Sequence, residues 1–312
     1  MPSPDPCFRP QSKERVVSKK IGPLAKLHGW DKFTVIAMSI IPLVIVGVFV
    51  WIPALCTVIL SFSNWDGIGG LSDIHFVGIQ NYIDMFTIYP PFWPALWHNV
   101  VWLLVLFFIF TPLGMFLAVL LDKELKLTKF YQTSLYLPVV LSAALIGFIW
   151  QLMYSRDQGF INAIFGTQID WYGDPNINLY AAIIANGWRH VGYIMLLYLA
   201  GLKGVDPALK EAAALDGASP TRTFFQIIFP VLRPVNILLL VITFIEGLRA
   251  FDIVWIINKG RNGLELISTL VTSNVVGEAS RIGFGSALAT IMLIMSSVFI
   301  VIQLRIMLKG EN

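Results

Sequence analysis

The chain has few charged residues for its length. Only 13% of its 312 residues are Asp, Glu, Lys or Arg, whereas 56% are hydrophobic. A composition so poor in charge excludes an ordinary soluble domain and predicts an integral membrane protein. The 22 Lys and Arg residues nearly balance the 19 Asp and Glu residues, so the net charge of +3 gives no support to nucleic-acid binding.

Cysteine and histidine are also scarce. Cys7 and Cys56 lie far apart in the sequence, and the four His residues show no ligand spacing. These features exclude a disulfide framework and a metal cluster. The sequence also contains no Gly/Lys phosphate-binding loop and no nucleophile motif. We therefore expect no catalytic site, no bound metal and no ATP hydrolysis by this chain alone.

Long charge-free stretches predict six membrane-spanning helices, because a bilayer core needs about 20 apolar residues in a helix. Four stretches are free of charge. Two more are interrupted, one by Arg189 and the other by Glu246, Arg249 and Asp252. The predicted spans cover residues 33–65, 99–121, 130–155, 177–202, 234–258 and 282–304. The predicted fold class is therefore an all-α integral membrane protein, with one transmembrane domain over residues 33–312.

Basic residues alternate between successive connecting segments. Lys and Arg number seven, none, three, one and four in residues 1–32, 63–98, 122–129, 156–176 and 203–233. Because cytoplasmic segments carry the excess of basic residues, both termini are predicted to lie in the cytoplasm. The loop 259–281 breaks the alternation with three basic residues. It is kept outside, since moving it inside would remove a well-supported span.

The N-terminal segment 1–32 differs from the rest of the chain. It holds Pro2, Pro4, Pro6 and Pro10, followed by residues of mixed charge. Such a segment is too polar and too rich in proline to bury a core. We predict a cytoplasmic tail that is disordered or lies on the membrane surface.

Four prolines fall inside the predicted spans. Pro42 and Pro53 lie in span one, Pro112 in span two, and Pro138 near the start of span three. Because proline removes a backbone donor and crowds the preceding turn, each of these positions predicts a kink.

The segment 203–233, between spans four and five, predicts two short helices. Asp206 suits an N-cap and Pro207 suits the first turn of a helix. Gly217 can end that helix in a left-handed conformation, and Ser219 with Pro220 can begin the next. The expected result is a helix–turn–helix along the inner membrane surface.

This segment resembles the cytoplasmic signature of the membrane subunits of binding-protein-dependent ABC importers. The signature reads Glu-Ala-Ala, three residues, Gly, nine residues, Ile, one residue, Leu-Pro. The spacing is kept throughout, and the only departure is Phe229 in place of Leu. The resemblance implies that the loop forms coupling helices that dock on an ATPase subunit. The residues implied in this coupling are Glu211, Ala212, Ala213, Asp216, Gly217, Ile227 and Pro230.

Weaker resemblance extends along nearly the whole chain after residue 33. It points to the carbohydrate branch, and within it to the first of two permease subunits in importers for maltose, glycerol phosphate and related oligosaccharides. The matching pieces are residues 61–65, 78–82, 137–138, 159–162 and 251–255. Residues 258–263 depart from the Thr-Gly-Gly-Gly-Pro of relatives, which bears on the contact with an external binding protein.

The resemblance implies a type I ABC importer permease fold with several partners. These are a second permease subunit, expected to be a different chain, two ATPase subunits that bind ATP and Mg, and an extracytoplasmic sugar-binding protein. This chain itself is expected to bind no cofactor and no nucleic acid. It is expected to contact lipid and carbohydrate as a multi-pass protein of the cytoplasmic membrane.

Polar residues within spans four and five are candidates for a substrate pathway. Four of them on span four recur at i, i+3, i+4 and i+7, which places them on one helix face. By resemblance, the sugar lies against this turn and against span five near Thr243 and Gly247. A charge at mid-bilayer costs at least about 2.5 kcal/mol, so such groups face a cavity or each other. The candidate residues are Asn186, Arg189, His190, Tyr193, Thr243, Glu246, Gly247 and Arg249.

The intramembrane charges leave alternatives open. Glu246, Arg249 and Asp252 are spaced three residues apart, so they could pair along one side of a helix as a structural network. In a second functional hypothesis, Arg189, Glu246 and Asp252 form the relay of an ion-coupled secondary transporter. An enzyme acting on lipid-linked sugars ranks last, because no pair of carboxylates stands out on adjacent outer loops.

Overall fold

The computed structural model describes residues 29–123, 126–277 and 280–309, so the predicted tail up to residue 28 lies outside the described residues. The described residues form helices and loops, with one isolated bridge between Ser63 and Phe76. The chain divides into two compact units, residues 1–54 and 55–312. The first unit contains the start of a long helix, and the second contains the remaining elements.

Each predicted span is helical, and we number the spans one to six in chain order. They are Trp30–Leu60, Phe92–Asp122, Thr128–Val140 with Ala143–Met153, Asn178–Lys203, Arg233–Leu248 with Asp252–Asn258, and Ile282–Lys309. In the described part of the chain, three helices in spans one, two and six are long and apolar enough to cross a membrane. The number rises to five if each of two bent helix pairs is one span, namely Thr128–Val140 with Ala143–Met153 and Pro220–Val231 with Arg233–Asn258.

Shorter helices connect the spans. They are Leu71–Asp73, Gln80–Thr87, Phe160–Phe165, Pro207–Leu215, Pro220–Thr223, Phe229–Val231 and Ile267–Val275.

Span three is bent, whereas the hydropathy pattern predicted one continuous helix. Its two halves meet at 102°. Leu141 and Ser142 are extended between them, and Ser142 Oγ caps the second half by accepting a hydrogen bond from Leu145 N at 3.2 Å. The bend falls just after Pro138, where the sequence predicted a kink.

Span four is largely buried among the described residues, although Tyr180, Ile184 and Trp188 are exposed. Fifteen of its 26 residues are buried, including Asn178 and His190. Gly192 faces the backbone carbonyl of Leu135 on span three so closely that a Cβ atom would clash with it. Span four has 26 residues, long enough to cross a membrane, but it is not among the helices that are apolar enough to do so. A helix buried among other helices can carry more polar residues than one exposed to lipid.

Three prolines in the helices each follow a turn of π-helix at the same distance, whereas Pro42 and Pro138 lie within α-helix. Each turn ends two residues before a proline: Gly47–Trp51 before Pro53, Leu106–Phe110 before Pro112, and Phe224–Ile228 before Pro230. Because the proline ring clashes with the carbonyl four residues earlier, the wider turn relieves that clash. The features at Pro53 and Pro112 are therefore local widenings within continuous helices.

Two hydrogen bonds show which connecting segments lie at the same end of the helices. Lys210 Nζ donates to Asp122 Oδ2 at 2.7 Å, which places the 203–233 segment at the end of span two. At the other end of the helices, Asn178 Nδ2 donates to the carbonyl of Asn262 at 2.6 Å. The loop 259–281 therefore lies beside the start of span four. This position is the one expected for the loop from the order of the predicted spans.

Candidate substrate cavity and coupling loop

Span five is interrupted at residues 249–251. The carbonyl of Ala250 accepts a hydrogen bond from Ser268 Oγ at 2.5 Å, and the carbonyl of Gly247 accepts one from Asn99 Nδ2 at 3.4 Å. Backbone groups freed at a break in a membrane helix need such partners. The two side chains thus stabilise the interruption.

The break separates Glu246, Arg249 and Asp252, whose spacing would place them on one face of a continuous helix. Glu246 lies in the last turn of the first helix, Arg249 is its C-cap, and Asp252 begins the next helix. Glu246 Oε2 pairs with Nη2 of Arg189 on span four at 2.9 Å. Within the described residues, Arg249 and Asp252 form no ion pair, so the three charges do not pair internally as suggested.

A cavity of about 120 Å³ lies at the break, and we call it the polar cavity. Its polar and aromatic lining consists of Asn186, Arg189, Glu246, Arg249, Asp252, Trp102 and Phe251. Two guanidinium groups and two carboxylates line this space, so the formal charges of the lining balance. The volume accommodates several water molecules or part of a polar ligand.

A wider groove of about 440 Å³ adjoins the polar cavity. The two spaces share Arg249, Phe251 and Asp252, and the groove continues past Ser268 and Thr272 towards span six. The residues around the break therefore border both spaces. Polar side chains line a continuous space formed by the polar cavity and the groove.

The other four predicted pathway residues lie outside the polar cavity. His190 and Thr243 are buried, and they form a polar cluster with Thr111 in which the side-chain distances are 3.3–3.5 Å. Gly247 packs against span two. Tyr193 packs against the apolar core between spans two and four. The structure thus brings Asn186, Arg189, Glu246 and Arg249 together, but it does not bring the remaining four to the same space.

Asn99 connects span two to the residues around the polar cavity, a role that the sequence did not predict. The residue is 2% exposed. Its Oδ1 accepts a hydrogen bond from Ile267 N at 3.0 Å, in addition to the bond from its Nδ2 to Gly247. The signal in the sequence is an amide at the first residue of the predicted span 99–121, a position that by itself does not distinguish a span boundary from a buried polar group.

The predicted helix–turn–helix is confirmed in the segment 203–233. Asp206 Oδ1 caps the helix Pro207–Leu215 by accepting a hydrogen bond from Ala208 N at 2.9 Å. Gly217 follows with φ of +71°, a left-handed conformation that favours glycine. Ser219 Oγ then accepts from Arg222 N and caps the next helix. We call Pro207–Leu215 the coupling helix.

The signature residues divide between an exposed and a packed side of this loop. Ala213 is 3% exposed, and its carbonyl accepts a hydrogen bond from Ala218 N at 2.9 Å. Ile227 is half-buried. The exposed members are Glu211, Ala212, Asp216, Gly217 and Pro230. Carboxylates and small side chains are therefore presented on a surface that a partner could approach closely.

Comparisons with known proteins connect this architecture to a transport family. Residues 32–309 match the family of binding-protein-dependent transport system inner membrane components. A probable ABC transporter permease protein of Pyrococcus horikoshii is 32% identical over 289 residues, covering 89% of this chain and 97% of that protein. A xylose/arabinose import permease protein of Haloferax volcanii is 33% identical over 247 residues, covering 76% of each.

A solved structure shares the fold. It is the crystal structure of a bacterial alginate ABC transporter in complex with an alginate pentasaccharide-bound periplasmic protein. The TM-score is 0.76 at 19% sequence identity, and the match covers 88% of this chain and 93% of the other. At this level of identity the likeness concerns the fold alone.

Proposed function

Because this chain belongs to the inner membrane components of binding-protein-dependent transport systems, we propose that it is the permease subunit through which an ABC importer carries a carbohydrate. The observation that carries the choice of substrate is the polar cavity at the break in span five. The similarity to a xylose/arabinose import permease supports the same choice.

The chemistry of the polar cavity suits a polyhydroxylated ligand. Hydroxyl groups can donate to the carboxylates of Glu246 and Asp252 and accept from the guanidinium groups of Arg189 and Arg249. The ring of Phe251 offers an apolar surface next to these groups. Since the charges of the lining balance, a neutral saccharide meets no excess charge of either sign.

The proposed assembly contains two permease subunits, two ATPase subunits and an extracytoplasmic binding protein. The exposed signature residues of the 203–233 loop support docking to an ATPase, and the excess of basic residues supports a cytoplasmic position for this loop and both termini. In the proposed cycle, the binding protein delivers the sugar while ATP bound with Mg closes the ATPase subunits. This closure acts through residues 211–230 to turn the cavity outward, and hydrolysis resets it.

Affinity purification tests the assembly. The tagged chain is expressed in its native cell, extracted in mild detergent, and its partners are identified by mass spectrometry. We expect an ATPase and a second permease to co-purify. A stable chain without an ATPase would overturn the proposal.

Uptake into reconstituted vesicles tests the energy source. The complex and its binding protein are supplied with labelled pentoses, hexoses and disaccharides, including xylose and arabinose. We expect uptake of at least one sugar to require ATP and to persist when ionophores abolish the membrane potential. Uptake that needs the potential and no ATP would instead support the ion-coupled secondary transporter.

A further inference from the structure

Asp122, the last residue of span two, links three elements. Its Oδ2 accepts a hydrogen bond from Nζ of Lys210 on the coupling helix at 2.7 Å. Its Oδ1 lies 3.4 Å from Nζ of Lys203, the last residue of span four. The Asp122 side chain is only 14% exposed. One largely buried carboxylate therefore joins the ends of two spans to the coupling helix.

The position of Asp122 on its own helix is electrostatically unfavourable. The C-terminal end of a helix carries partial negative charge, which disfavours a carboxylate there. The two lysine ammonium groups offset this effect. Asp122 thus contributes little to its own helix and most to the connection between elements.

The two spans joined by Asp122 form a closely packed pair. Ala118 and Leu121 of span two share a buried apolar cluster with Met195 and Leu202 of span four. Arg189 lies 14 positions before Lys203 on span four, a distance of about 21 Å along the helix. Asp122 therefore lies at one end of the packed pair formed by spans two and four. Further along the same pair, Arg189 of span four lines the polar cavity.

We propose that Asp122 is a positioning residue for coupling. It holds the coupling helix on the ends of spans two and four, so that movement imposed on that helix by the ATPase reaches the polar cavity. This inference rests on the proposed function, because it requires an ATPase docked on the 203–233 loop. Without the carboxylate, the coupling helix moves relative to the spans and the ATP-driven movement is not transmitted.

A cysteine reporter in the polar cavity tests this proposal in the assembled complex. Cys7 and Cys56 are replaced by Ser, and Ala143, which lines the cavity, is replaced by Cys. The rate of maleimide labelling is measured in lipid nanodiscs with and without a non-hydrolysable ATP analogue. Retention of the ATPase subunit is measured in the same samples. We expect the analogue to change the labelling rate about fivefold when Asp122 is intact, within the usual range of coupling between sites.

The variants separate positioning from a general structural role. Asp122→Asn should retain the ATPase and lose most of the labelling change, whereas Asp122→Glu should keep it. Asp122→Lys should lose the labelling change. Adding Lys210→Asp should restore part of it, because an ion pair between span two and the coupling helix can form again although Lys203 then lies near a second lysine. Lys123→Gln is the matched control. It removes a neighbouring exposed charge that makes no ion pair among the described residues, so the response should be unchanged.

Each contrary outcome has a distinct meaning. An Asp122→Asn complex that retains the ATPase and the full labelling change would overturn the inference alone. If Asp122→Lys fails to assemble, Asp122→Asn and Asp122→Glu still decide the question. A complex without an ATPase, or without any response to the analogue when Asp122 is intact, would overturn both the inference and the proposed coupling.

Discussion

Arg189 on span four and Glu246 on span five form an ion pair of 2.9 Å at the wall of the polar cavity. The side chains are 28% and 42% exposed, so both remain accessible to the space that they line. The pair joins two spans at the place where span five breaks. It can therefore serve the fold, the substrate or both, and exchange of the two charges distinguishes these roles.

The charge exchange Arg189→Glu with Glu246→Arg is expected to restore stability but not uptake. Each single substitution should cost about 1 kcal/mol of stability, since the pair is only partly buried. The exchanged pair can form again, but the hydrogen-bond donors and acceptors offered to a sugar have changed places. Thermal unfolding and sugar uptake of the purified complex measure the two effects. Full uptake by the exchanged variant would mean that the pair is only structural.

Thr243→Val is expected to affect stability and leave the KM for sugar unchanged. The Thr243 hydroxyl is buried with His190 and Thr111 outside the polar cavity, and its loss should cost about 1 kcal/mol. Asn186→Ala, at a residue that lines the cavity, should instead raise KM. The KM of the two variants in reconstituted vesicles checks this contrast. A raised KM for Thr243→Val would extend the substrate pathway to the buried cluster.

Gly217→Val is expected to uncouple ATP hydrolysis from uptake, whereas Gly217→Asn should retain coupling. A Cβ atom at this position would meet no neighbour, so the restriction comes from the φ of +71° alone. A left-handed conformation costs about 1–2 kcal/mol for most residues and is adopted more readily by Asn. The ratio of sugar transported to ATP hydrolysed measures the effect. Equal ratios in both variants would show that the turn conformation is unimportant for coupling.

Glu211→Lys should also uncouple ATP hydrolysis from uptake, because it reverses an exposed charge on the coupling helix without disturbing a buried contact. The variant should insert in the membrane normally, which can be checked by its amount in the membrane fraction. Normal sugar uptake by this variant would contradict the assignment of the loop to coupling.

Gly192→Ala is expected to destabilise the protein by about 1–3 kcal/mol, because the added methyl group meets the Leu135 carbonyl and the backbone cannot move aside cheaply. Gly204→Ala is the matched control. Gly204 has φ of −85°, and its nearest backbone neighbour would be 3.4 Å from the new Cβ. Thermal unfolding of both variants tests the expectation. Similar unfolding temperatures would show that spans three and four separate easily.

Residues with local roles could be predicted from the sequence, whereas residues that connect distant parts of the chain could not. Asp206, Gly217 and Ser219 were predicted correctly as a cap, a turn and a second cap, because each acts within a few residues of chain. Asn99 and Asp122 were missed as connecting residues. Their partners lie 148 and 88 positions away in the sequence, and no local pattern indicates such pairs.

The sequence by itself determined the membrane location, the helical spans and the helix–turn–helix signature. These features depend on hydropathy, charge and backbone preference, all of which act locally. Only the tertiary structure decided that span five breaks at residue 249, that Glu246 pairs with Arg189 and that His190 lies outside the polar cavity. These outcomes depend on which helices pack together, since burial and the choice of hydrogen-bond partner are set by residues that are distant in the chain.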